Sequence, residues 1–201
     1  DGAHSMGQVP VDVHVLDCDF YAIVGYKWLM GPYPTAMLYV RRDRLDEIAV
    51  TWSGSHSTTG ASVKLSPDEI EWKPGMARFE YGARVYSWDT AMAVGAAGVE
   101  ALGIENVLAH LRRLGRRFHD GLAEIPGVTI HSPAPEEGTG INCVSLAQLD
   151  GVEFSRRLRD NFGIVQRAAL WGSAVRISLA SYIEDGDVDY LLDAIGTIAA
   201  E

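Results

Sequence analysis

Positive charge is scarce in this chain. Lys and Arg number 17 against 27 Asp and Glu, and the formal net charge is −10. The one basic cluster, Arg112, Arg113, Arg116 and Arg117, fits the solvated face of a helix, so no nucleic-acid partner is expected. Long apolar runs are also missing. None approaches the roughly 18 residues that a membrane-spanning helix needs, so no membrane association is expected. No charged–apolar–small leader opens the chain, and no secretion signal is expected. Cysteine occurs twice, as Cys18 and Cys143, far apart and without metal-type spacing. Both flank apolar strand patterns, which reads as buried free thiols in a reducing cytoplasm, with no metal site. With 201 residues the chain can still bury a sizeable core, in one domain or two small ones.

What the chain does have is concentrated between Asp19 and Pro32, the stretch DFYAIVGYKWLMGP. Five apolar residues, Phe20 to Val24, run without alternation, as in a strand covered on both faces within a parallel sheet. Gly25 ends the run, and Tyr26, Lys27, Trp28 and a Gly31-Pro32 turn follow. Open α/β sheets bind ligands outside the carboxyl ends of their strands, which is where Lys27 falls. Held against Trp28 and Tyr26, the Lys27 amine would be partly desolvated, which makes it a better nucleophile. Read alone, Lys27 is equally a surface lysine lying past a core strand.

Asp1-Gly2-Ala3-His4 precedes this stretch, with Pro10-Val11-Asp12-Val13 between. The order D-x-A-[QH], P-x-D-V, a D-F strand, then a lysine followed shortly by G-P resembles the class V aminotransferase family. That family includes cysteine desulfurases, isopenicillin N epimerases and related C–S lyases that use pyridoxal phosphate (PLP). The resemblance implies an α/β fold of the fold-type I PLP-dependent transferases. It implies that the chain corresponds to the C-terminal half of such an enzyme, with the glycine-rich phosphate loop and the ring-stacking aromatic in a preceding half. Residues 1–100 would complete the large PLP-binding domain with its mixed sheet, and 101–201 would form a small C-terminal α/β domain. Lys27 becomes the Schiff-base lysine, Asp1 the carboxylate that keeps the pyridine nitrogen protonated, and His4 the partner of the cofactor's phenolic oxygen. His14 has no such support and reads as a surface residue.

Arg78-Phe79-Glu80-Tyr81-Gly82-Ala83-Arg84 resembles the family's R-F-E-x-G-T segment, which reaches across a dimer interface to the neighbouring subunit's phosphate. Ala83 replaces the threonine, and Arg84, next in line, offers a guanidinium that can bind phosphate instead. Before the lysine, Tyr26 can donate its phenolic proton to a phosphate oxygen and Val24 cannot. Val175-Arg176-Ile177-Ser178 resembles the family's closing motif, in which the arginine grips the substrate's α-carboxylate; alone, Arg176 reads equally as a strand-edge ion pair.

The remaining chain follows from periodicity. Ala36 to Val40 reads as a strand, Arg41 to Ile48 as a short charged element, and Thr51 to Ser62 as a loop in which Trp52 and His56 could line an entrance. Ser87 to Ile125 is helical, with Ser87 as cap and a break at Gly103. Beyond the break Ile104, Val107, Leu108, Leu111, Leu114, Phe118 and Leu122 form a core stripe. Val128 to His131, Ile141 to Ala147, Ile164 to Ala168 and Val175 to Ala180 read as strands. Val152 to Asn161 reads as a helix stopped by Gly163, and Asp185 as the cap of a last helix.

The loop from Ala168 to Ala174 (AALWGSA) lacks the nucleophilic cysteine that desulfurases place there, so persulfide formation through it is not expected. Trp171 in that loop is a candidate for filling the substrate pocket. The expected function is PLP chemistry at the α-carbon of an amino acid — transamination, epimerisation or elimination — in a homodimer with the active site at its interface. The alternative is a half-subunit that binds no cofactor alone and serves as a dimerisation or scaffold piece beside a separate N-terminal half.

Overall fold

The computed structural model describes residues 1–60 and 70–201. The last two positions of the loop expected over 51–62 therefore lie outside the described residues. The chain divides into two compact units. Asp1–Met6 and Val11–Gly98 form the first; Gly7–Pro10 and Val99–Glu201 form the second.

In the first unit β1 (Phe20–Val24) pairs antiparallel with β2 (Ala36–Val40), in the register Phe20↔Val40 to Val24↔Ala36. The parallel, doubly covered strand suggested by the apolar run is not what forms here. The connection over residues 25–35 is too short for the crossover that a parallel pair requires. Only Ile23 of β1 is buried, while Phe20 is 51% exposed. A tight loop follows β1, and short 3₁₀ turns at Arg42–Glu47 and Gly75–Phe79 lead to helix α1 (Tyr86–Leu102). Ser87 lies inside the first turn of α1 and does not precede it.

The second unit holds α2 (Ile104–Ala123), which starts just past Gly103, a residue at φ 79° that only glycine adopts without strain. Val107, Leu111, Leu114, Phe118 and Leu122 of α2 are buried, at steps of three and four residues, as the stripe requires. Leu114, Phe118 and Leu122 share a core with one antiparallel sheet of order β3-β4-β6-β5, formed by Val128–Ile130, Ile141–Leu146, Ala174–Ser178 and Arg167–Ala169. In β4, Asn142, Val144 and Leu146 face inward and alternate with half-buried Cys143 and Ser145.

Helices α3 (Gly151–Phe162) and α4 (Asp185–Ala199) complete the layer. Asp150 caps α3, its carboxylate accepting from the Glu153 N–H at 2.8 Å, and Gly163 closes it at φ 68°. Ile164 donates back to the Leu158 carbonyl at 3.0 Å, so the ladder of β5 begins only at Arg167, later than the apolar pattern suggests. The cap of α4 is Glu184 and not Asp185, because Glu184 and Asp187 satisfy each other's backbone N–H groups in a capping box.

Three of the four arginines in the basic cluster of α2 are ion-paired within this unit. Arg117 forks onto both carboxylate oxygens of Asp189 at 2.7 Å, Arg116 reaches Glu136 at 3.2 Å, and Arg113 reaches Asp185. Two of these three pairs tie α2 to α4. Both cysteines are free and only half-buried, and burial raises the Cys143 thiol above its ordinary range. The side chain of Gln8, from the four-residue piece Gly7–Pro10, is fully buried; its Oε1 accepts from the Gly140 N–H at 2.9 Å.

Phe118 is wholly buried at the centre of this core. Phe118→Ala is expected to cost about 3–5 kcal/mol in urea unfolding, the sum of lost transfer energy and a residual cavity. Glu153 accepts from Arg156 and Arg157, which holds its carboxyl at about 2. A depressed carboxyl stabilises the fold above its unfolded value and loses that contribution as pH falls towards 2. Glu153→Gln should therefore lower the stability of α3 at neutral pH and flatten the acid limb of a circular-dichroism titration between about pH 4.5 and 2, with no change of slope above that window.

Candidate functional site

The site forms in the first unit, where two short segments meet. The first is the turn over residues 1–5. Gly2 N–H donates to the Ala22 carbonyl of β1 at 2.7 Å, and Ser5 Oγ is hydrogen-bonded to Tyr21 Oη, so the turn is stitched to the strand on both sides of His4. Asp1 lies at its exposed start, its Oδ1 accepting from the Ala3 N–H at 2.8 Å. Asp1 and Ala3 border a cavity of about 560 Å³ whose remaining walls are Ala22, Ile23 and Val24 of β1 and Ala36, Met37 and Leu38 of β2.

The second segment is the loop after β1. Gly25 N–H donates to the Thr35 carbonyl at 2.8 Å, Gly31 N–H to the Gly25 carbonyl at 2.8 Å, and Met30 N–H to the Lys27 carbonyl at 3.0 Å. Leu29 is buried beneath it. Helix α1 presses on this loop so closely that a Cβ on Gly95 would overlap the Leu29 carbonyl oxygen, and one on Gly31 would stand 2.9 Å from the Gly25 carbonyl. Glycine at both places is what lets backbone meet backbone, and the loop carrying Lys27 is held from two sides as a result.

The segments converge on one imidazole. Lys27 Nζ lies 3.1 Å from His4 Nε2, and Trp28 Nε1 donates to His4 Nδ1 at 3.0 Å. All three side chains are half-buried, and Lys27 has no carboxylate ion-pair partner among the described residues. An amine without a carboxylate to neutralise it, placed just past the carboxyl end of a strand, can act as a nucleophile or accept a proton.

The other predicted residues stand apart from this cluster. Tyr26 packs edge-on against Tyr33, with ring centroids 4.8 Å apart. Arg84 is exposed; its Nη1 bonds Glu80 at 2.9 Å and its Nη2 approaches Asp89 at 3.8 Å. Asp12 of the Pro10–Val13 motif accepts from the backbone N–H groups of His14 and Val15, a turn-forming role. His14 is exposed, as is Trp52.

Arg176 belongs to the second unit, in β6, opposite Cys143 of β4 and Arg167 of β5. It borders a cavity of about 460 Å³ with Arg167, Ala168, Ala169, Trp171 and Gly172. Its Nε is buried without a hydrogen-bond partner among the described residues. Trp171 is fully exposed at φ 59° on the rim. Two contributors escaped sequence reasoning: the hydrogen bond from Trp28 to His4, and Arg167 beside Arg176. Adjacency to Lys27 pointed to the first; nothing short of the strand register points to the second.

The Aminotransferase class-V family model matches residues 1–191. Isopenicillin N epimerase from Streptomyces clavuligerus is 30% identical over 217 residues, covering 100% of this chain and 52% of the epimerase. A cysteine desulfurase from Escherichia coli is 31% identical over 209 residues, covering 98% of this chain and 50% of the desulfurase. Among solved structures, the cystine C–S lyase C-DES in complex with its reaction product cysteine persulfide superposes with a TM-score of 0.86 at 25% identity, covering 98% of this chain and 51% of the lyase. The apo cysteine desulfurase of Thermococcus onnurineus NA1 gives 0.89 at 23% identity, covering 98% and 51%, a likeness of fold. The chain spans about half the length of the curated relatives it matches. With the family pattern running through both units and into the last helix, the chain belongs to the class V aminotransferase family.

Proposed function

We propose that the protein to which this chain belongs is a PLP-dependent enzyme acting at the α-carbon of an amino acid, by transamination, epimerisation or elimination. The observation that carries this reading is the contact of Lys27 Nζ with His4 Nε2 at 3.1 Å, beside the turn that begins with Asp1. It is supported by family membership.

The residues present fit the cofactor. An aldehyde needs an amine not already committed to a carboxylate, and Lys27 is one. A pyridinium nitrogen needs a carboxylate, and Asp1 is exposed, its Oδ1 bonded within its own turn to the Ala3 N–H. PLP, when bound, supplies an electron sink for negative charge at the substrate's α-carbon. Lys27 would supply the amine that holds the cofactor's carbonyl carbon, and as a free amine could move a proton at the substrate's α-carbon. His4 would hold the phenolic oxygen, and Asp1 would pair with the ring nitrogen by a charge-assisted hydrogen bond. Tyr26 and Arg84 would be the phosphate ligands in this reading, Arg84 through the guanidinium that here bonds Glu80. Arg176 grips the substrate carboxylate, a role consistent with its unpartnered Nε. The absence of cysteine from the Ala168–Ala174 loop, and the burial that raises the Cys143 thiol, favour chemistry that uses no thiol nucleophile.

A second reading has its own observation. One face of the β1–β2 pair leaves Phe20 and Leu38 about half exposed, at 51% and 50%. Such a face suits a chain that completes a larger assembly, with a separate N-terminal half or a second copy, and binds no cofactor alone.

One experiment separates the two. The chain is freed of excess PLP and its visible spectrum recorded with and without the N-terminal half. The first reading expects a visible band that shifts on adding amino acid and vanishes in Lys27→Ala, with turnover of the complete enzyme falling by about 10²–10⁴-fold or more. A band that survives Lys27→Ala overturns it; a band that forms only with the N-terminal half assigns this chain the second reading when it is alone.

A further inference from the structure

The imidazole of His4 is bracketed by nitrogens from two consecutive residues, Trp28 Nε1 on Nδ1 at 3.0 Å and Lys27 Nζ on Nε2 at 3.1 Å. An indole N–H can only donate. His4 Nδ1 must therefore present its lone pair, and the single proton of the neutral ring lies on Nε2. The His4 and Trp28 rings meet edge to face, 6.3 Å apart at 66°.

The identity of the atom facing Lys27 follows. Nε2–H is a donor, and Nζ can accept from it only through the lone pair of an uncharged amine, since an ammonium has three donors and no acceptor. The uncharged amine is also the form that attacks a carbonyl carbon. The opposite tautomer would reverse the roles. Nε2 would then accept a hydrogen from the ammonium and engage Lys27 as a donor, leaving no lone pair for attack.

We propose that Trp28 is a positioning residue. Its indole N–H locks His4 in the Nε2–H tautomer, and His4 in turn presents a donor to the reactive amine. The inference rests on the reading of Lys27 as the condensing lysine. The loop geometry makes the lock rigid. Trp28 sits between Lys27 and the buried Leu29, in the loop that α1 clamps at Gly95 and Gly31, so the indole and the amine move as one piece.

The test has a readout independent of turnover. In the intact protein carrying ¹⁵N-labelled histidine, long-range ¹H–¹⁵N correlation reports which ring nitrogen of His4 bears the proton, with His4→Gln assigning the signals. The expected result is a single Nε2–H tautomer in the natural protein and a mixture of tautomers in Trp28→Phe. Replacing Trp28 by 3-benzothienylalanine, which keeps the indole shape and exchanges N–H for sulfur, gives the same mixture without disturbing packing. Condensation with added PLP, followed by its absorbance, slows about fivefold in both variants, the worth of one net hydrogen bond. A proton on Nδ1 in the natural protein, or an Nε2–H tautomer that persists in both variants, overturns the proposal. If the tautomer responds as expected but the natural protein does not condense with PLP through Lys27, the lock stands and the PLP reading fails; if it condenses and the tautomer does not respond, the reverse holds.

Discussion

The first unit depends on one close approach, the contact between helix α1 and the loop after β1. No side chain fits between them, because Gly95 on the helix faces the Leu29 carbonyl and Gly31 lies against both Gly25 and Met92. That contact decides where the residues after β1 go. With Leu29 driven into the interior, the two side chains immediately before it, Lys27 and Trp28, are turned together towards His4. Interiors are packed densely enough that a small displacement of such a loop has nowhere to dissipate, so the placement of Lys27 and Trp28 against His4 inherits the rigidity of helix packing.

The second unit is held differently. A continuous apolar core from α2, α3, α4 and the four-stranded sheet does most of the stabilising, and charges are organised around it. Arg113 and Arg117 of α2 meet carboxylates at the start of α4, where negative side chains also favour the helix dipole. Exposed pairs of this kind contribute little individually. Their effect is on register, since the fork of Arg117 on Asp189 admits one alignment of the two helices. By contrast Arg167 and Arg176 stand opposite each other across β5 and β6 with no carboxylate between them among the described residues, in a cavity open to solvent. A pair of like charges facing each other weakens a sheet, so the arrangement is one that an anion would relieve.

Much of this was legible in the sequence, for identifiable reasons. Phe20–Val24 and Ala36–Val40 were readable to the residue because Gly25 and the Gly31-Pro32 turn punctuate them. The stripe of α2 was readable because seven apolar positions keep helical spacing over five turns. Strand direction was not readable, because an apolar run records burial and not the partner's orientation. The cap of α4 was misplaced by one residue because Glu184, Asp185 and Asp187 are all acidic, and only backbone geometry tells which one closes the box. The ion pair of Arg84 was visible in principle, since Glu80 stands four residues before it. The meeting of Lys27 with His4 has no signature in periodicity. Twenty-three positions separate them, and only motif resemblance drew attention to both.

The burial of Gln8 bears on how the molecule can be divided. Its carboxamide supplies the acceptor for the Gly140 amide, deep in the unit that otherwise begins at Val99. A polypeptide started at Val99 would carry an interior N–H stripped of water with nothing to receive it, at a cost of about 1–3 kcal/mol. The second unit is therefore not a cassette that can be excised from the gene as one contiguous stretch; its edge is stitched shut by a residue translated ninety positions earlier.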